Sequence, residues 1–319
     1  MAAAFALAFP AAAQDDAGAE NPEDSIVVGS RPNHLVLEDD FTIDVILRDR
    51  PIRLEVDSAH WGPVALNIDL VLDMELRGQP DTLWNFGGVE VQMVTTPERI
   101  TYDNRTVNQR IGWTAYNASH IADGVIGIHD LPYDLVTFLY GERTARDRVQ
   151  VFEMERRGRG RFRRHGIELD VGEDRLFAMI SNRIGLNLVS AGTANYIATR
   201  QEGRFIPDTD GLVEIIPGLY RPTRTMQLAY PIDFGDLRID NFSVRMVDHG
   251  RANSVGEAEE GDPRFEENTI LVTDRRRRGR DDHFTRIGRQ QFRACSEITY
   301  DLEEREIRMR CSDMPIDAD

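Results

Sequence analysis

Residues 53–59, Arg-Leu-Glu-Val-Asp-Ser-Ala, constrain the fold more than any other stretch of the chain. Leu54 and Val56 alternate with Arg53 and Glu55, the two-residue period of a half-buried strand. Residues 42–47 alternate in the same way, and Arg48-Asp49-Arg50 supplies a polar turn between the two runs. This predicts a β-hairpin whose second strand ends in a carboxylate (Asp57), a hydroxyl (Ser58) and a small residue (Ala59). Next come Val64-Ala65-Leu66, a candidate helix cap at Asn67 and a helix-like run over 68–76. Residues 77–88 read as a polar, Gly-rich loop holding Trp84 and Phe86, residues 89–94 as a strand, and residues 100–112 as the start of a flap. Residues 136–139 and 149–152 read as the strands that close this half. Between them and the flap stands Asp123-Gly124-Val125-Ile126-Gly127, with Leu131 beyond it.

The same order of features returns in the second half. Residues 167–171 and 175–180 predict another hairpin, ending at Ser181-Asn182-Arg183. An apolar run over 186–189 leads to Ser190 in the capping position and a helix-like run over 191–199. Ile126-Gly127 with Leu131 is echoed by Ile287-Gly288 with Phe292, and Val136-Thr137-Phe138 by Ile298-Thr299-Tyr300. Several matches in one order point to an internal repeat.

On these residues the chain resembles the aspartic proteases of the pepsin and retropepsin type, over roughly residues 40–311. There a strand delivers an Asp-Thr/Ser-Gly turn, and an apolar-apolar-Gly segment passes beside it. The resemblance implies an all-β fold of two pseudo-symmetric, barrel-like lobes, each with a short helix, and a cleft between them. It makes Asp57 the candidate catalytic carboxylate and Ser58 the hydroxyl that orients it. Two facing carboxylates share one proton, so one acts as base on a water and the other as acid. The chain departs from that pattern twice. Ala59 stands where the family has Gly. Alignment of the hairpins sets Asp57 opposite Ser181, or opposite Ile180 after a one-residue slip, so the second motif is the degenerate Ser181-Asn182-Arg183. Arg183, if close, is expected to pair with Asp57.

Three functional readings follow. One is an exported pseudo-peptidase whose inter-lobe cleft holds an extended peptide or protein segment. Another is an active acid endopeptidase using Asp57, either by pairing two chains or with an acid such as Asp208 or Asp210. The last is an unrelated all-β binding protein of the cell envelope.

The length, 319 residues, suits two lobes better than one core. Residues 1–14 read as a signal peptide, truncated at its start, which implies a periplasmic or secreted protein. Residues 15–38 read as disordered, 39–154 as the first lobe, 155–166 as an Arg/Gly linker, and 167–313 as the second lobe with an acidic insertion over 250–269. The net charge of −17 argues against a nucleic-acid partner. No run of about 20 apolar residues occurs, so no membrane span is expected. Cys295 and Cys311 flank an alternating run with its polar turn at 302–304, which predicts a cross-strand disulfide in an oxidising compartment. No metal or other cofactor is expected, because two cysteines without nearby histidines do not make a zinc site. His60 is expected to be packed or exposed rather than a ligand. A monomer is expected.

Overall fold

The computed structural model describes residues 33–86, 89–103, 105–158, 162–246 and 285–312. The expected signal peptide, most of the stretch over 15–38 and the acidic insertion lie outside the described residues.

The first half runs β1 (His34–Leu37), β2 (Thr42–Leu47), β3 (Arg50–Val56), β4 (Val64–Leu66), α1 (Ile68–Asp73), β5 (Gln79–Phe86), β6 (Val89–Tyr102), β7 (Arg105–Trp113), β8 (Gly124–Ile126) and β9 (Leu135–Leu139). β10 (Arg148–Glu153) and β11 (Glu155–Arg157) cross to the second half. That half runs β12 (Arg164–Val171), β13 (Asp174–Ile180), β14 (Leu188–Val189), α2 (Ala191–Gln201), β15 (Arg204–Phe205), β16 (Gly211–Ile216), β17 (Leu219–Phe234), β18 (Leu237–Arg245), β19 (Thr285–Ile287), β20 (Cys295–Asp301) and β21 (Glu306–Cys311).

Over the described residues the fold is all-β with one short α-helix per lobe. In the first lobe the strand order is β2-β3-β8-β4-β7-β6, and β2 pairs back to β6, which closes a barrel. Ile52, Leu54 and Val56 point into it and are buried. The second lobe repeats the connections. β3 lies parallel to β8, as β13 does to β19. β4 is antiparallel to β8 and parallel to β7, as β14 is to β19 and β18.

A third sheet, β1-β9-β20-β21-β10, joins the halves. Its centre marks the pseudo-two-fold axis. Thr137 of β9 pairs with Thr299 of β20, and their hydroxyls hydrogen-bond at 2.7 Å. The repeat had matched these same two threonines. Cys295 and Cys311 face each other across β20 and β21 and form the expected disulfide.

The repeated glycines have a common cause. A Cβ on Gly127 would lie 2.5 Å from the His60 carbonyl, and one on Gly288 would lie 2.3 Å from that of Leu186. Only glycine lets the chain pass so close behind each central turn.

Several expectations need correction. Residues 34–37 are not disordered but form β1, which pairs in parallel with β9. The loop over 77–88 contains β5, and Trp84 and Phe86 sit on that strand. Residues 100–112 belong to the β6–β7 hairpin; the hairpin that reaches across to the second lobe is β5–β6. Residues 136–139 and 149–152 lie in the shared sheet rather than closing the first lobe. The linker over 155–166 contains β11 and the start of β12, which pair with each other. Ser190 does cap α2, accepting from the Thr193 amide at 3.2 Å. The Asn67 side chain makes no cap. Its Oδ1 accepts from the Ala118 and Ser119 amides, and Asn117 Oδ1 takes the Ile68 amide instead.

Candidate functional site

Asp57 and Ser181 end equivalent strands and meet at the lobe interface. The Asp57 amide donates to the Ile126 carbonyl at 3.0 Å, and the Ser181 amide donates to that of Ile287 at 2.9 Å. Both turns are thereby fixed to the strand that leads into the repeated glycine. Asp57 is 2% exposed. Its Oδ1 accepts from the Ala59 amide (3.2 Å), the Asn182 amide (3.2 Å) and the Ser181 hydroxyl (3.4 Å). None of the described hydrogen bonds reaches Oδ2. Ser58 donates its hydroxyl across the interface to the Ile180 carbonyl at 2.7 Å.

The structure thus brings Asp57, Ser58, Ser181 and Asn182 together. It does not bring Arg183 to Asp57. The Arg183 guanidinium pairs with Glu55 at 3.1 Å and donates to the Ala118 carbonyl at 2.7 Å. Ser119 donates to the other Glu55 oxygen at 2.6 Å. The alternation of β3 had set Glu55 on the outer face; here Arg183 of the second lobe and Ser119 of the first cover it, while Arg53 on the same face stays exposed. Burial raises the Glu55 carboxyl above its ordinary value, against the pull of Arg183 and Ser119. The candidate acids of the second lobe sit elsewhere. Asp210 pairs with Arg224, and Asp208 is exposed in a left-handed turn conformation.

Sequence reasoning missed the second layer around this centre. Tyr140, just past β9, donates to Asn182 Oδ1, and burial pushes its phenol up. Asn182 is 5% exposed, and its Nδ2 has no partner among the described residues. Arg286, on β19, is partly buried; desolvation lowers its guanidinium to about 10 while the nearby Asp57 opposes the shift. Arg286 stands one residue before the echoed Ile287-Gly288, where the first lobe has Val125. That break in an otherwise apolar pattern was the signal available. His60 is packed, with its Nε2 3.0 Å from the Pro63 carbonyl, and burial lowers it to about 4. Among the described residues no group of His, Cys, Asp or Glu could hold a metal ion, and no helix is long and apolar enough to cross a membrane.

Two hairpins roof the centre. Phe86 of β5 packs on Ile184, Leu188, Val213 and Ile215 of the second lobe. Val89 and Val91 of β6 meet Leu219 and Ile216 at the tip of the β16–β17 hairpin.

No family model matches the chain, and no curated protein matches it significantly. Among solved structures, the EIAV protease in complex with the inhibitor HBY-793 is similar at 21% identity, over 28% of this chain and 82% of that one, with a TM-score of 0.23. That likeness is too slight to carry function to this chain.

Proposed function

We propose that this chain is an exported, peptide-binding pseudo-peptidase built on an aspartic-protease-like scaffold. The observation that carries the reading is the partner of Asp57. A second carboxylate could share a proton with it and act as the acid. Ser181 and the Asn182 amide stand there instead, both donating to the same Asp57 oxygen. A serine hydroxyl does not ionise in the range where carboxylates exchange protons, so none of the described hydrogen-bond partners of Asp57 can carry the acid half of the chemistry. The roofing hairpins have the strand edges that hold an extended peptide by main-chain hydrogen bonds. The cross-strand disulfide supports export to an oxidising compartment, periplasmic or secreted.

One observation favours the alternative of an active acid endopeptidase. Asp57 keeps its place, and its Oδ2 accepts none of the described hydrogen bonds, so a water could be held there. A two-chain dyad would require the second lobe to leave the face it covers.

Cleavage of an unstructured protein from pH 3 to 7, run beside Asp57→Asn, tests both readings. The pseudo-peptidase gives no cleavage with either protein while both bind the substrate. Cleavage with an acid optimum, lost in Asp57→Asn, would establish the alternative.

A further inference from the structure

The first-lobe roof is fastened from outside its own lobe. Trp84 on β5 stacks on Trp61, with ring centres 5.0 Å apart and planes 11° from parallel. Trp61 lies four residues past Asp57 and packs against Ala59, Phe177 and Met179, beside the site. Gly62 makes room for the contact, since a Cβ there would meet the Trp84 ring at 1.9 Å. Its φ of +142° is a conformation that favours glycine. Trp84 is 5% exposed, and its Nε1 has no hydrogen-bond partner among the described residues. Ring packing, not a polar bond from the indole, therefore holds this point of β5 down.

Phe162 completes the packing. Its ring lies 6.2 Å from Trp61 and 6.1 Å from Trp84, steeply inclined to both. It is carried by the β11–β12 hairpin, where Arg157 pairs with Arg164 at the crossing between the lobes. The Arg164 guanidinium lies 5.4 Å from the Trp61 ring. The crossing segment therefore grips Trp61 and the β5 roof strand together.

We infer that Phe162 is a latch that keeps the β5–β6 hairpin closed over Asp57. A protein that binds only when open loses affinity in proportion to its open fraction. Inclined aromatic contacts add stability beyond their buried area, so two of them shift such an equilibrium by about tenfold. A bound peptide must release the latch or wait for it to open. That last clause rests on the peptide-binding reading; the latch itself does not.

The test uses the full chain and Phe162→Ala. Backbone hydrogen exchange reads the opening of β5 and β6, with β20 and β21 as the reference for global stability. Binding of a reduced, carboxymethylated protein, followed by anisotropy, reads access to the cleft. The latch predicts exchange about tenfold faster in β5 and β6, no change in β20 and β21, and binding tighter by the same factor. Unchanged exchange in β5 and β6 overturns the latch, and so does an equal rise in β20 and β21. Faster exchange without tighter binding keeps the latch and sinks the peptide-binding reading. Should Phe162→Ala not fold, Phe162→Leu keeps the apolar bulk without the ring and carries the same test.

Discussion

At the scale of single residues, Ser181 decides what the centre can do. Its Oγ already lies 3.4 Å from Asp57 Oδ1, so an aspartate at 181 would set two carboxylates against each other. Like charges that close cannot both ionise, and the pair would hold one proton between them. Ser181→Asp is expected to create cleavage of an unstructured protein with an acid optimum, about 10²-fold or more above the parent, the usual gain from a placed general acid. Ser181→Asn controls for bulk. Equal rates in the two variants would show that a second carboxylate at 181 is not what cleavage requires. The family resemblance singled out Asp57 and Ser58, and the repeat set Ser181 and Asn182 opposite them, because strand register fixes which side chains end up opposite. The sequence misplaced Arg183 because a long side chain can swing to either of two nearby carboxylates. Glu55 alternates like a solvent-facing strand residue, and only the pairing of distant Arg183 and Ser119 with it brings it under cover.

At the scale of elements, strands with clean alternation were legible, and so were the two helices and the hairpin between the cysteines. β5 was not. It carries Pro80, Asp81 and Asn85, and its register with β6 is broken between Pro80 and Leu83. Local composition argued for a loop, and pairing with the long β6 overrode it. The shared sheet was misread for a related reason, since pairing between β9 and β20 joins residues about half a chain apart. That sheet makes the Cys295–Cys311 bridge more than a local clasp, because β20 and β21 lie between β9 and β10. The loop-entropy model gives a bridge over 16 residues roughly 3 kcal/mol of stability. The double variant Cys295→Ser, Cys311→Ser is expected to lose about that much in urea unfolding. A loss under about 1 kcal/mol would mean that the reduced chain already holds these strands together.

At the scale of the whole molecule, buried histidines give the fold a pH dependence. Burial lowers His60 and His165 to about 4, and neighbouring arginines add to the shift. The unfolded chain takes up these protons near pH 6.5 while the folded protein refuses them. Stability is therefore whole above pH 6.5 and falls as pH drops toward 4, by about 1.4 kcal/mol per pH unit for each histidine. His129 and Asp130, 3.7 Å apart, shift in opposite directions and largely cancel. The raised Glu55 works against the fall more weakly, because Arg183 holds it charged. Melting temperature is expected to drop steadily from pH 7 to 4.5, and less so in His165→Phe. A flat profile would mean that these histidines ionise without opening the fold. Acid weakness of this kind also counts against a working acid peptidase, whose fold would be least stable where its chemistry runs.

The threonine pair on the pseudo-two-fold axis has an evolutionary consequence. In an assembly of two identical chains, every residue near the axis appears twice, and any substitution there is made on both sides at once. Losing one central carboxylate would mean losing both. Here a single chain supplies both halves, so the two sides of the axis are encoded separately. One side can therefore carry serine and asparagine while the other carries an aspartate. Covalent joining of the halves is what permits a centre with one carboxylate.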